Sequence, residues 1–70
     1  MNYDAISDAC LLVYDTLKDD PESTDLIEEM DICDNDDSIK DGLRKAATRL
    51  DTLNPAVAKT IREKARGFAF

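Results

Sequence analysis

Apolar residues in this chain recur at intervals of three and four and never alternate strictly, so each segment must close its backbone hydrogen bonds internally, as a helix. The most regular run is Ile39, Leu43, Ala46, Leu50 and Leu53, at i, i+4, i+7, i+11 and i+14. That is a heptad-like seam sustained to its end. Ile6, Cys10, Val13 and Leu17 mark a second apolar face, with Tyr3 and Tyr14 beside it. Leu26, Ile27, Met30 and Cys33 give a shorter helix its apolar side, and Val57, Ile61, Ala65 and Phe68 form a fourth stripe.

Punctuation between the stripes places the helix ends. Asp19-Asp20-Pro21 breaks the first helix and can open the second, with Asp20 as N-cap and Pro21 in the position that loses no needed donor; Ser23 or Thr24 are alternative caps. Asn54-Pro55 is the same device between the last two helices. Asn2 suits the start of the first helix, Asp36, Asp37 or Ser38 the start of the third, and Gly67 the end of the fourth. Gly42 is either a mild cost within the third helix or part of a turn that precedes it. The expected architecture is all-α: one domain over residues 1–70, a small bundle of three to four short helices at about 3–18, 21–33, 38–53 and 55–66.

A bundle of 70 residues buries little apolar surface and gains from extra support. Cys10 and Cys33 are too few for a disulfide scaffold, form no zinc-ligand pattern, and read as core residues. Self-association is the remaining aid, and a homodimer is expected. Met1-Asn2-Tyr3-Asp4 lacks the flank of a secretory signal, and no stretch approaches the roughly 20 apolar residues of a membrane span. The expected setting is a reducing cytoplasm, away from membranes.

Charge is sorted along the chain. Met1 to Asp41 holds 14 carboxylates against Lys18 and Lys40, a net charge of −12, whereas Gly42 to Phe70 holds seven bases against Asp51 and Glu63, a net charge of +5. The two halves either neutralise each other in the fold or offer opposite faces to different partners. Catalysis is not expected: histidine is absent, and no phosphate-binding loop, nucleophile elbow or zinc-protease motif is present. No cofactor is implied. Asp34-x-Asp36-x-Ser38 begins like a calcium loop but continues with Ile39 where the turn needs glycine and Lys45 where a bidentate glutamate belongs, so no metal is expected either.

Helix one carries the most informative surface. Asp4, Asp8, Asp15 and Asp19 fall in a narrow arc opposite Ile6, Cys10 and Leu17, with Leu11 on one border and Leu12 on the other. Ala5 and Ala9 extend the Leu12 side, making Ala5, Ala9 and Leu12 the expected self-association contact. Asp4, Asp8, Leu11, Leu12, Asp15 and Asp19 form an apolar anchor with a charged rim, suited to a protein partner with a basic and apolar surface. The bland account is a central helix whose Leu11 and Leu12 are covered by helices two and four.

The expected function is therefore a protein-interaction module that inhibits or regulates its partner by occupancy. In composition alone, such small acidic helical proteins resemble phage or mobile-element products that inhibit a host protein. A second reading is a nucleic-acid mimic, in which Asp15, Asp19, Asp20, Glu22, Asp25 and Glu29 imitate phosphates. A third is a small DNA-binding regulator using Lys59, Arg62 and Arg66, although the usual helix-turn-helix signature is absent and direct nucleic-acid binding is not expected. An assembly subunit that joins acidic half to basic half is also compatible with the charge pattern. The tail, Phe68-Ala69-Phe70, is expected to fold back over the core.

Overall fold

Four amphipathic segments give four α-helices in the computed structural model, which describes residues 3–32 and 35–70. They are α1 (Tyr3–Leu17), α2 (Thr24–Ile32), α3 (Asp36–Leu53) and α4 (Pro55–Lys64), with a 3-10 turn over Pro21–Ser23 leading into α2. No strand occurs among the described residues. The third helix starts earlier than its apolar seam suggests, because Asn35 is its cap: the Asn35 side-chain oxygen accepts the Ser38 backbone N–H at 2.9 Å. Asp36 and Asp37 then occupy the first turn, where negative charge meets the positive end of the helix dipole. The caps expected at Asp36, Asp37 or Ser38 are corrected accordingly, while Asn2 and Cys33 lie outside the described residues.

One residue joins α3 to α4. The Asn54 N–H donates to Leu50 O at 2.7 Å, closing α3, and its side chain accepts from Val57 N–H at 3.4 Å, opening α4 at Pro55. The resulting helix pair is clamped by Arg62, whose two terminal nitrogens donate to the two Asp51 oxygens at 2.6 and 2.7 Å. α4 packs on α3 and α1, and α2 lies mainly on α3. The extents of 31 × 26 × 15 Å correspond to two helix layers in the short direction, so each helix keeps one side toward solvent.

The core contains Ile6, Val13, Leu17, Leu43, Leu50, Ile61 and Phe68, together with Ala9, Ala46, Ala47, Ala58, Ala65 and Ala69. So many alanines mean that helices meet with their backbones close, gaining area by proximity where the chain lacks bulk. The expected seam of α3 holds in its middle, but Ile39 is half-buried and Leu53 is exposed. α2 contributes no fully buried residue; Leu26, Ile27 and Met30 pack against the core from its edge. Gly42 lies within α3 and is buried where Met30 crosses it.

The tail folds back in part. Gly67 takes a φ of +83°, the left-handed conformation that glycine adopts without steric cost. The turn puts Phe68 and Ala69 in the core and leaves Phe70 partly exposed. Arg44 Nε donates to Ala69 O at 2.7 Å and the Lys40 ammonium sits 5.3 Å from the centre of the Phe68 ring, so two cations of α3 hold the tail in place.

A methyl group at Gly42 would lie 2.7 Å from Met30 Cγ. The gain of about 1 kcal/mol in helix propensity is outweighed by an overpacking cost of about 1–3 kcal/mol. Gly42→Ala is expected to lower the unfolding free energy by about 1 kcal/mol in urea titrations, whereas the same change in a Met30→Ala background is expected to raise it. The same sign in both backgrounds would acquit the Met30 contact.

Candidate functional site

The two halves of the chain do neutralise each other where they meet. Arg49 on α3 donates to both Asp20 oxygens, from Nε at 2.8 Å and from Nη2 at 3.1 Å, and Nη2 also meets Glu22 at 2.8 Å. Ser23, buried, donates its hydroxyl to Asp20 at 2.6 Å. The Arg49 hydrogen bonds, then that of Ser23, hold the Asp20 carboxyl down at about 2, against an ordinary value of 3.8. Lys45 joins Asp41 at 3.0 Å and Glu29 at 3.8 Å, and its pKa is raised, first by the hydrogen bond with Asp41 and then by the nearby negative charges. Lys64 on α4 reaches Asp8 on α1 at 3.6 Å.

These pairs decide which carboxylates remain available. Asp4, Asp15 and Asp19 are exposed and make no ion pair among the described residues, whereas Asp8 is engaged by Lys64. The continuous acidic row expected along α1 is thus interrupted in its middle. The basic row of Lys59, Arg62 and Arg66 is interrupted as well, since Arg62 is taken by Asp51, leaving Lys59 on α4 and Arg66 just beyond it as exposed cations.

The largest correction concerns which side of α1 is buried. Ala9 has 0% exposure, and Ala5, Leu12 and Thr16 are half-buried along the same side. The Asp8–Lys64 pair shows that α4 faces this side. Of Ala5, Ala9 and Leu12, expected to meet a second copy, Ala9 is fully buried within the monomer, Leu12 packs against the core and Ala5 is half-buried; the small Ala9 side chain lets a neighbouring helix approach closely. α1 is consequently rolled away from Cys10, which is only half-buried, and toward Ala9.

That roll brings the opposite border into the open. Tyr3, Leu11 and Tyr14 are 60%, 62% and 49% exposed, and with Ser7 they form a row at i, i+4, i+8 and i+11 on α1. Beside the row runs a groove of about 480 Å³, bounded by Tyr3, Ile6, Ser7, Cys10, Leu11 and Tyr14 on α1, by Asp31 at the end of α2 and by Ile39 on α3. A smaller cleft of about 80 Å³ continues from Cys10 and Tyr14 toward Ile27 and Met30. Leu11 stands where the sequence placed it, at the edge of the carboxylates. Tyr3 and Tyr14, read only as neighbours of the core face, are the residues that sequence reasoning missed; Ala9, three residues after Ile6 and four before Val13, was the available signal.

Among the described residues, no helix is long and apolar enough to cross a membrane, and no three metal-ligating side chains converge. What the α1 face offers is apolar area with carboxylates at its edges.

Two tests separate these features. The Asp20 pKa lies below its unfolded value, so the clasp's stabilisation is fully present above about pH 3.8 and is lost as the pH falls through about 2. Urea midpoints measured from about pH 5 down to about pH 2 should fall more steeply for wild type than for Asp20→Asn; parallel curves would remove Asp20 as the cause. Leu12→Asp should cost about 2 kcal/mol or more by burying a charge, while Leu11→Asp should stay within about 0.5 kcal/mol of wild type in the same titration. Equal losses would mean that the two leucines share one environment.

Comparison with protein-family models, with curated proteins and with solved structures finds no match to this chain.

Proposed function

We propose that this chain is a non-catalytic protein-interaction module of the cytoplasm, which holds a basic and apolar partner surface against the outward face of α1 and inhibits or regulates that partner by occupancy. The observation that carries the reading is Leu11, which stands 62% exposed between two exposed tyrosines, with Asp4 and Asp15 at its edge. Single exposed apolar residues are ordinary on a protein surface. A row of three beside a groove is better explained by burial against another molecule. Tyrosine favours such a role because it brings large area with little conformational entropy to lose.

The parts divide the work. Unpaired carboxylates steer a cationic partner and fix its orientation, chiefly through the association rate, while the apolar row supplies the desolvated contact that slows dissociation. Pairing two copies through this same face would bring Asp4 and Asp15 of one chain against their equals in the other, so a heterologous partner is favoured over a homodimer here. Nucleic-acid mimicry has less support: a mimic requires a dense, unbroken acidic surface, and Asp8, Asp20, Glu22, Glu29 and Asp41 are each paired with a base.

The test is affinity capture from the source cells with wild-type and Leu11→Asp baits of equal helicity, followed by titration of the purified captured protein. Leu11→Asp should weaken that binding at least about tenfold, or about 1.4 kcal/mol, and Thr48→Asp, on an exposed turn of α3, should not. Binding that ignores Leu11→Asp would sink the reading.

A further inference from the structure

The α1 groove has a shape and a charge distribution that narrow the class of its occupant. From Tyr3 to Tyr14 it follows α1 for 11 residues, about 16 Å at the helical rise, or three turns. Its far wall is formed by two other helices, with Asp31 at the end of α2 and Ile39 near the start of α3. It is therefore an open groove between helices, with an apolar floor that includes Ile6 and Cys10. Carboxylates stand on both sides: Asp4 and Asp15 border the Leu11 row on α1, and Asp31 lines the opposite wall. None of these three has an ion-pair partner among the described residues, whereas Lys45, Arg49, Arg62 and Lys64 pair with Asp8, Asp20, Glu22, Glu29, Asp41 and Asp51.

We infer that this groove seats an amphipathic helix of a partner protein, about three turns long, whose apolar stripe is flanked on both sides by lysine or arginine. The inference rests on the interaction reading above and gives its partner a form. A helix laid along α1 puts residues at i, i+4, i+7 and i+11 against the floor, the spacing by which helices enter hydrophobic grooves. Cations on one border of that stripe meet Asp4 and Asp15, and those on the other meet Asp31. An extended strand has no equivalent fit, because the groove is walled by helices and exposes no sheet edge. A second copy of this chain presenting the same α1 face does not meet the charge requirement, because that face carries the same carboxylates.

Two synthetic peptides test the inference by fluorescence anisotropy and amide chemical shifts. One has leucines at i, i+4, i+7 and i+11 with lysines on both borders; the other has the same composition scrambled so that no helical stripe forms. The striped peptide is expected to bind wild type at least tenfold more tightly than the scrambled one and to shift amides of α1 and the first turns of α3. Ser7→Trp fills the groove without altering charge and should weaken striped-peptide binding at least tenfold; Thr48→Trp on α3 should leave it unchanged. Leu11→Ala, at an exposed position, serves as the second variant should Ser7→Trp lose helicity, with the same expectation of weakened binding. Equal binding of the two peptides would reduce the contact to charge attraction and overturn the inference, as would failure of both to bind or indifference to the groove variants. If the peptides fail while a captured partner still depends on Leu11, the helical occupant is wrong and the interaction reading stands. If that partner also ignores Leu11→Asp, both fall.

Discussion

Close approach of helices through alanine is the constraint from which the rest of this structure follows. Ala9, Ala46, Ala47, Ala58 and Ala65 all have no exposure, and they take the place of the large side chains that a longer chain would have. Dispersion contacts fall away steeply with distance, so a core poor in volume must be rich in proximity. Bringing α4 against the Ala9 side of α1 fixes the rotation of α1 about its own axis. The same rotation that buries Ala9 lifts Cys10 to half-burial and leaves Leu11 and both tyrosines in water. The candidate binding face is thus a by-product of how the core is closed, and a bulkier residue at position 9 would alter it from behind.

Electrostatics works on a second level, selecting which charges are spent on the fold and which are left over. Arg49 connects the corner between α1 and α2 to the middle of α3, and Lys64 connects α4 to α1. Most surface ion pairs contribute little, but Asp20 is largely enclosed, accepts a two-point contact from a guanidinium and receives a serine hydroxyl, a geometry in which the hydrogen bonds are charge-assisted. After these pairings the net charge remains −7, and the carboxylates without partners include those bordering the α1 groove. Part of the unspent negative charge thus lies beside the exposed apolar row of α1.

Much of the architecture was legible in the sequence because helix boundaries are set by local chemistry. Asn54 and Pro55 act within four residues of themselves, Gly67 needs only its own backbone freedom, and the stripe of α3 is repeated enough times to survive errors at its ends. The face of α1 was harder. Periodicity gives greater weight to large side chains, so Cys10 was read as core and Ala9 as surface, when the small residue marked the tighter contact. Likewise Asn35 outcompeted three other capping residues within a run of polar side chains, which composition alone does not rank. The Arg49–Asp20 clasp spans 29 positions and has no periodic signature. Leu11 was identifiable as a border residue, but its exposure depends on the thickness of the whole domain.

Asn54 has a consequence for how this chain can vary. A single residue terminates one helix with its N–H and initiates the next with its side chain, while its carbonyl accepts from Ala58 N–H in the new helix. There is no spare length between α3 and α4. Inserting even one residue would unhook two helix ends together and turn Arg62 away from Asp51, so this corner behaves as a hinge pin with no play. Changes of length must be absorbed elsewhere in the chain, and the angle between its two most tightly joined helices is inherited as a unit.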